Sequence, residues 1–459
     1  MAGIGFELRK LMQRDTLLGL MQTYAYAGII SSGPWVLSIL GILVIGVLSV
    51  SIVTPDILIT QFQVSVTWLI AVSLILTGVV QLAFTRFTAD RHFEGKDESI
   101  MPAFNGLLLY QMLVSGAIGI VVITFFFTEQ SVMYRLLMLT GFVVICDIWL
   151  ATIFLSSMKQ YKGILLLFAL GYGIAVTAAL LLRPFGLEGL LGGFVLGQFL
   201  LLIGMITLIL RSYPAGRFFS LEFFSRKDMY FTMMAVGLFY NLGYWLDKFM
   251  FWLHPATGTQ VIGPLHSSII YDIPVFLAYL SIIPGMAVFL VKMETDFVDY
   301  YNRFYDAVRG GSSLEYIETM RNEMVYIVRQ GIYQILKVQA IAALLLYIAA
   351  PTILHYLDIS ELYLPLLFVN LVSAGLQVVF LAVLNVFFYL DKRWETLFLT
   401  GAFVILNGLF TAVTLSLGPR FYGYGYAIAL LLVNMAGFWV LSRKLDQLEF
   451  DTFMLQRGH

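Results

Sequence analysis

The sequence predicts an all-α polytopic membrane protein, with twelve transmembrane helices in two six-helix lobes and both termini cytoplasmic. Three observations carry that prediction: the composition, the spacing of the apolar runs and the placement of the cations. Of 459 residues, 60% are hydrophobic and 12% charged, and the mean hydropathy is +0.88. A soluble domain is about a quarter charged, so this chain cannot clothe a globule in water-facing side chains. The 27 Lys and Arg against 28 Asp and Glu leave no cationic excess to hold nucleic acid. A single cysteine, Cys146, builds neither a disulfide framework nor a Cys-rich metal site.

A helix crossing the hydrocarbon core needs roughly 20 apolar residues, because its backbone groups find no water there and must bond internally. Twelve such runs succeed one another at 21–53, 62–85, 102–127, 131–158, 164–182, 188–210, 229–253, 265–291, 332–357, 362–390, 396–417 and 425–441. The first is too long for the core of a removable signal peptide, so it is expected to stay. Ahead of it, residues 1–20 mix Phe6, Leu8, Leu11 and Met12 with Glu7, Arg9, Lys10 and Arg14, as a cytoplasmic interfacial helix does. The N-lobe is then 21–210, the linker 211–228, the C-lobe 229–441 and a cytoplasmic tail 442–459.

Cations set the orientation, since short cytoplasmic loops retain Lys and Arg. With both ends inside, 23 of the 27 fall on the cytoplasmic side; Arg135, Arg183, Lys248 and Arg420 lie outward. Inside the second lobe, 292–331 is the one sizeable extramembrane piece. Phe297, Tyr301, Phe304 and Val308 share one helical face; Gly310-Gly311 breaks the chain, and Ser312 with Glu315 forms a capping box for a second amphipathic helix. Both are expected to lie on the lipid interface or to dock a partner.

The two sets of six helices repeat. Runs seven and eight trail one and two by about the same offset. Tight outer turns, Arg183-Pro-Phe-Gly and Pro419-Arg-Phe-Tyr-Gly, follow runs five and eleven. Two parallel six-helix halves are a common transporter plan with the substrate path between them. Gly33 and Pro34 interrupt run one, either as a hinge or as an ordinary kink. Gly189, Gly193 and Gly197 form a small-residue stripe in run six, read as close helix packing.

Ionisable groups within the spans cost several kcal/mol unless paired or wetted. Asp147 sits midway along run four: a coupling or cavity acid, or a neutral acid in an interhelical hydrogen bond. Asp247 and Lys248 in run seven lie at the depth of Asp272 in run eight, so Lys248 and Asp272 are expected to pair, as a structural clamp or in the path. Tyr24, Gln111, Gln198, Asn241, Tyr244, Asn407, and Asn370 with Gln377 seven residues apart, interleave amides with aromatic rings. That set suits sugars, which offer hydroxyls at the rim and C–H faces for stacking, although each amide alone also serves as helix glue.

No lysine is followed by Ser or Thr, so there is no Walker-type phosphate loop, and His92, His254, His266, His355 and His459 make no HExxH site. Neither an enzyme, a cofactor nor a metal is expected. The outer loops, about a dozen residues each, have no room for a glycosyltransferase domain.

The opening, MAGIGFELRKLMQRDTLLGLMQTYAYAGIISSGPWVLSILGIL, resembles the start of the PelG family of bacterial exopolysaccharide transporters. That family is similar to the multidrug/oligosaccharidyl-lipid/polysaccharide exporters, with two lobes in a flippase or MATE-like fold. PFGLEGLLGGFVLG and YGYGYAIALLLVN resemble the G-x-x-G-x-A pattern of its flippases, with Glu188 an atypical charge. The resemblance implies export of a hexosamine-rich, GalNAc-containing polymer across the inner membrane. It also implies a cytoplasmic glycosyltransferase and cyclic-di-GMP-sensing membrane partners, with membrane lipids around the chain. Two other functions remain open: a flippase or antiporter for a lipid-linked oligosaccharide or drug, and a non-transporting scaffold of a synthase.

Overall fold

The computed structural model describes residues 17–50, 52–157, 160–212, 217–225, 230–356 and 359–454. The interfacial helix expected at the N-terminus lies largely outside them. The chain is nearly all helical: α1 Leu17–Ser49, α2 Ile57–Phe93, α3 Ile100–Phe126, α4 Val132–Ser157, α5 Tyr161–Leu182, α6 Gly186–Ser212 and α7 Phe231–Leu253 come first. A hairpin of β1 Thr259–Ile262 and β2 Leu265–Ser267 follows. The remainder is α8 Ile269–Tyr279, α9 Ile282–Val291, α10 Val298–Arg309, α11 Leu314–Tyr356, α12 Leu364–Tyr389, α13 Arg393–Leu417, α14 Tyr424–Asp446 and α15 Leu448–Met454. Among the described residues, nine helical runs are long and apolar enough to cross a membrane, Tyr161–Ser212 being one run that holds both α5 and α6. The bent pair of α8 with Ile282–Arg309 makes a tenth.

The chain forms two compact units. One holds Gly33–Trp245 and Phe251–Ile269; the other holds the residues up to Ser32, Leu246–Met250 and everything from Ile270 on. These are called here the N-unit and the C-unit. α1 stays helical through Gly33-Pro34, and the division between units falls at that point.

In the N-unit, α5 and α6 pack backbone to backbone along the glycine stripe. A Cβ on Gly193 would lie 2.2 Å from the Ala179 nitrogen, and one on Gly197 2.4 Å from the Ala175 Cβ. The stripe is therefore a packing seam, the close approach that small residues permit. α2 crosses α7 in the same manner, with a Gly237 Cβ only 2.0 Å from the Gly78 carbonyl oxygen. Phe84, Phe104, Phe154 and Phe223 fill the core near one end, the Phe104 and Phe154 rings stacked at 4.4 Å. The loop after α6 folds back there, where Glu222 reaches Arg91 at 2.9 Å.

The C-unit repeats the hairpin with α13 and α14, where Gly425 lies against the backbone of Phe410 and Thr411. The two outer turns are single 3-10 turns, Arg183–Phe185 and Pro419–Phe421. Gly186 follows the first with φ 67°, and Gly418 and Gly423 flank the second with φ 95° and 84°, backbone that favours glycine.

Three expectations need correction. The eighth run is not one helix over 265–291: its first residues belong to the β-hairpin, turned at Gly263 (φ 51°), and the helix breaks between Tyr279 and Ile282 with a 41° bend. Pro284 explains the break, since its ring meets the carbonyl of residue 280 and its nitrogen has no proton to give. Second, the helix expected after Gly310-Gly311 does not end before the ninth run. α11 is 43 residues long, about 65 Å at the α-helical rise, and its apolar stripe of Ile317, Met320 and Met324 is buried, as are Phe304 and Ala307 on α10. The apolar stripes of α10 and α11 are thus turned into the protein. Third, α11 starts at Leu314, which puts Ser313 and not Ser312 at its cap.

Candidate functional site

Asp247 and Lys248, the only adjacent charged pair in α7, are turned into the C-unit. The Lys248 Nζ lies 3.2 Å from each Asp247 oxygen, and both residues are buried. Neighbours one apart on a helix do not ordinarily face each other; the long lysine stem bends back to do so. Tyr271 on α8 donates to Asp247 Oδ2 at 2.5 Å, and Asn407 on α13 approaches Oδ1 at 3.5 Å. Thr411 one turn on donates to the Asn407 amide oxygen at 2.9 Å. The ammonium also stands 4.8 Å from the Tyr426 ring centre and 5.4 Å from that of Tyr279, within cation–π range. Asp272 acts on it through its charge.

A hydrogen-bonded chain continues from there. Tyr426 on α14 donates to Gln377 Oε1 on α12 at 2.8 Å, and the Tyr279 hydroxyl meets that of Tyr426 at 3.1 Å. Gln377 and Asn370 share a face of α12, both buried, with Asn370 opposite Gly423 at the start of α14. Five helices, α7, α8, α12, α13 and α14, thus meet on one polar hub inside the C-unit. Just beyond Tyr279, Gln339 on α11 donates to the Ser281 carbonyl at 3.0 Å and its hydroxyl at 3.2 Å. That satisfies backbone left open by the helix break.

The N-unit holds a different arrangement. Asp147 on α4 is buried, and its Oδ1 has no hydrogen-bond partner among the described residues. Trp149, two residues on, donates to Ser73 on α2 at 3.0 Å. Asn241 bonds its own helix at the Gly237 carbonyl, 3.0 Å away, and Tyr244 stands edge-on to Trp245 at 5.6 Å. Tyr24 on α1 belongs to the C-unit, near Lys292 and Asp296, which pair with each other at 2.7 Å across a π-helical turn.

The structure therefore brings together Asp247, Lys248, Asp272 and Gln377, leaves Asn370 one stretch along α12, and places Asp147, Asn241 and Tyr244 in the other unit. Tyr271, Tyr279 and Tyr426 were missed in the sequence. Tyr271 and Tyr279 are eight apart, two turns on one helix face, a signal hidden because tyrosine also counts as apolar filling.

The profile of "PelG: Putative exopolysaccharide Exporter (EPS-E)" matches residues 1–453. The chain belongs to the PelG family. It is accordingly a transmembrane transporter of the exopolysaccharide-exporter class, with an expected polysaccharide substrate. A multidrug resistance MATE family transporter of the MOP superfamily, in an outward-facing conformation, is similar at TM-score 0.64 and 16% identity, over 93% of this chain and 96% of that one. A MOP superfamily transporter from Pyrococcus furiosus gives 0.62 and 13%, over 93% and 96%. A MATE protein in a straight conformation gives 0.63 and 15%, over the same shares. These neighbours establish a MATE-type fold for the PelG family member. No curated protein matches the chain.

Proposed function

We propose that the chain exports the Pel exopolysaccharide, a hexosamine-rich and GalNAc-containing polymer, across the bacterial inner membrane through a polar path lined by both six-helix halves. Twelve crossings with both termini cytoplasmic complete the reading, supported by the cation distribution. A cytoplasmic glycosyltransferase feeds the polymer in, alongside cyclic-di-GMP-sensing membrane partners. Gly33 and Pro34 act as the hinge at the boundary between units, and Asn241, Tyr244, Asn370 and Tyr24 offer amides and rings to passing sugars.

The observation that carries the coupling part of the reading is the contrast between the two buried acid sites. Asp247 is paired with Lys248 and held by Tyr271, whereas Asp147 Oδ1 lacks a partner among the described residues. A buried carboxyl with no countercharge beside it is suited to take up and release a proton. Asp147 is thus the coupling group, and the hub of Asp247, Lys248 and Asp272 braces the C-unit. Reconstitution in liposomes with labelled hexosamine oligosaccharide, with and without an imposed proton gradient, tests this. Gradient-stimulated translocation is expected, and loss of that stimulation in Asp147→Asn. Translocation equal with and without the gradient would remove Asp147 from coupling, and none at all would sink the transport reading.

A further inference from the structure

We propose that the groove between α11 and α14, near the C-terminal end of α14, binds an anionic phospholipid of the adjoining leaflet. The groove encloses about 240 Å³. Its lining is mostly apolar, with Ile332 and Leu336 from α11 and Phe438, Leu441 and Leu445 from α14, and Arg329, Tyr333 and Ser442 are its polar members. Arg443 adjoins Ser442, its guanidinium 4.0 Å from the Trp439 ring centre. Trp439 and Tyr333 are 58% and 65% exposed, as expected of aromatic side chains at the level of lipid headgroups.

The charges around this groove are unequal in a telling way. Arg321 pairs with Glu449 at 3.1 Å, Lys392 with Asp451 at 2.5 Å and Lys444 with Glu395 at 2.8 Å. Arg329, which lines the groove, and Arg443, next to its lining residue Ser442, have no carboxylate partner among the described residues. One guanidinium lining a mostly apolar slot and a second beside it, both without a carboxylate, match a phosphodiester headgroup followed by acyl chain. A soluble anion would use the charges but leave the slot unfilled. A zwitterionic lipid would fill the slot but carry an ammonium past two arginines.

Native mass spectrometry of the purified full chain, titrated with phosphatidylglycerol, phosphatidylethanolamine or inorganic phosphate, tests this. Phosphatidylglycerol should be retained about tenfold to thirtyfold more tightly than phosphatidylethanolamine, and millimolar phosphate should not displace it. The Arg329→Gln/Arg443→Gln double variant should lose the preference, with a thermal unfolding midpoint in detergent like that of the parent. Ser442→Trp, which fills the slot and keeps both charges, should abolish retention too. Equal retention in the double variant and the parent overturns the proposal, and so does displacement by phosphate, which would mark a small-anion site. A photocrosslinker at Leu336 should label phospholipid in native membranes; labelling of a protein instead also overturns it.

Discussion

The Lys248 ammonium stands 3.2 Å from both oxygens of Asp247, the residue immediately before it in the same helix. The pair is sealed from water, so each charge depends on the other. Breaking a buried pair from one side costs about 3–5 kcal/mol, because the remaining charge is left without compensation. Lys248→Met should therefore lower the thermal unfolding midpoint in detergent and the amount of protein in the membrane. The double variant Asp247→Asn/Lys248→Met should regain most of that loss, since Tyr271 and Asn407 can still bond an amide. A double variant as unstable as the single one would show that the pair does more than neutralise itself.

Asp147 should behave in the opposite manner. Its Oδ1 is buried and makes no hydrogen bond among the described residues, so exchange for a neutral amide of the same shape relieves the cost of a buried carboxylate. Asp147→Asn should leave membrane abundance and unfolding midpoint at or above those of the parent while polymer secretion falls to near background. Quantifying secreted polymer beside immunoblotted membrane protein separates the two effects. Unchanged secretion would make Asp147 an ordinary buried acid.

The spans and the two outer turns were legible because lipid demands long apolar runs, and because Arg183-Pro-Phe-Gly and Pro419-Arg-Phe-Tyr-Gly carry the proline and glycine that tight turns need. The break between α8 and α9 was not legible. Pro274 and Pro284 both sit in one apolar stretch, and membrane helices often absorb proline without ending. The second strand of the β-hairpin was hidden at the start of the same stretch, since Leu265 suits a strand as well as a span. Asp247, Lys248 and Asp272 stood out as charges in apolar runs, but the pairing of Lys248 with its own neighbour Asp247 and the groups that bond Asp247 did not. Tyr271 lies 24 residues away and Asn407 160 residues away, and no periodicity links positions on separate helices.

The broken helix makes its own prediction. Gln339 holds Ser281 through both its carbonyl and its hydroxyl, and Gly285 and Gly375 leave room for the glutamine; a Cβ on Gly285 would lie 2.3 Å from Gln339 Oε1. Gln339→Leu keeps the bulk but strands the Ser281 carbonyl, a buried group whose lost hydrogen bond costs about 1–3 kcal/mol. A lower unfolding midpoint is expected, and faster hydrogen exchange confined to residues 278–286. Exchange unaltered across that segment would mean that packing alone holds the break.

The pair of Glu395 and Lys444, 2.8 Å apart at the ends of α13 and α14, gives a pH test outside the spans. Burial works to raise the Glu395 carboxyl, but the hydrogen bond and charge of Lys444 outweigh it and hold the carboxyl below its usual range. The hydrogen bond that Lys444 donates to Glu395 in turn raises the Lys444 ammonium, against a smaller opposing effect of burial. A carboxyl lowered in the folded state stabilises above its unfolded value of about 4.3 and ceases to as pH falls through the folded value. An ammonium raised in the folded state stabilises below about 10.4 and ceases to as pH rises through its folded value. Between those limits the contribution is flat, and partial exposure keeps it at about 1 kcal/mol or less. The difference in unfolding midpoint between the parent and Glu395→Gln should thus hold constant from neutral to mildly alkaline pH and shrink below about pH 4. A difference that instead persisted undiminished into acid would place the stabilisation in packing of the glutamate stem and not in its charge.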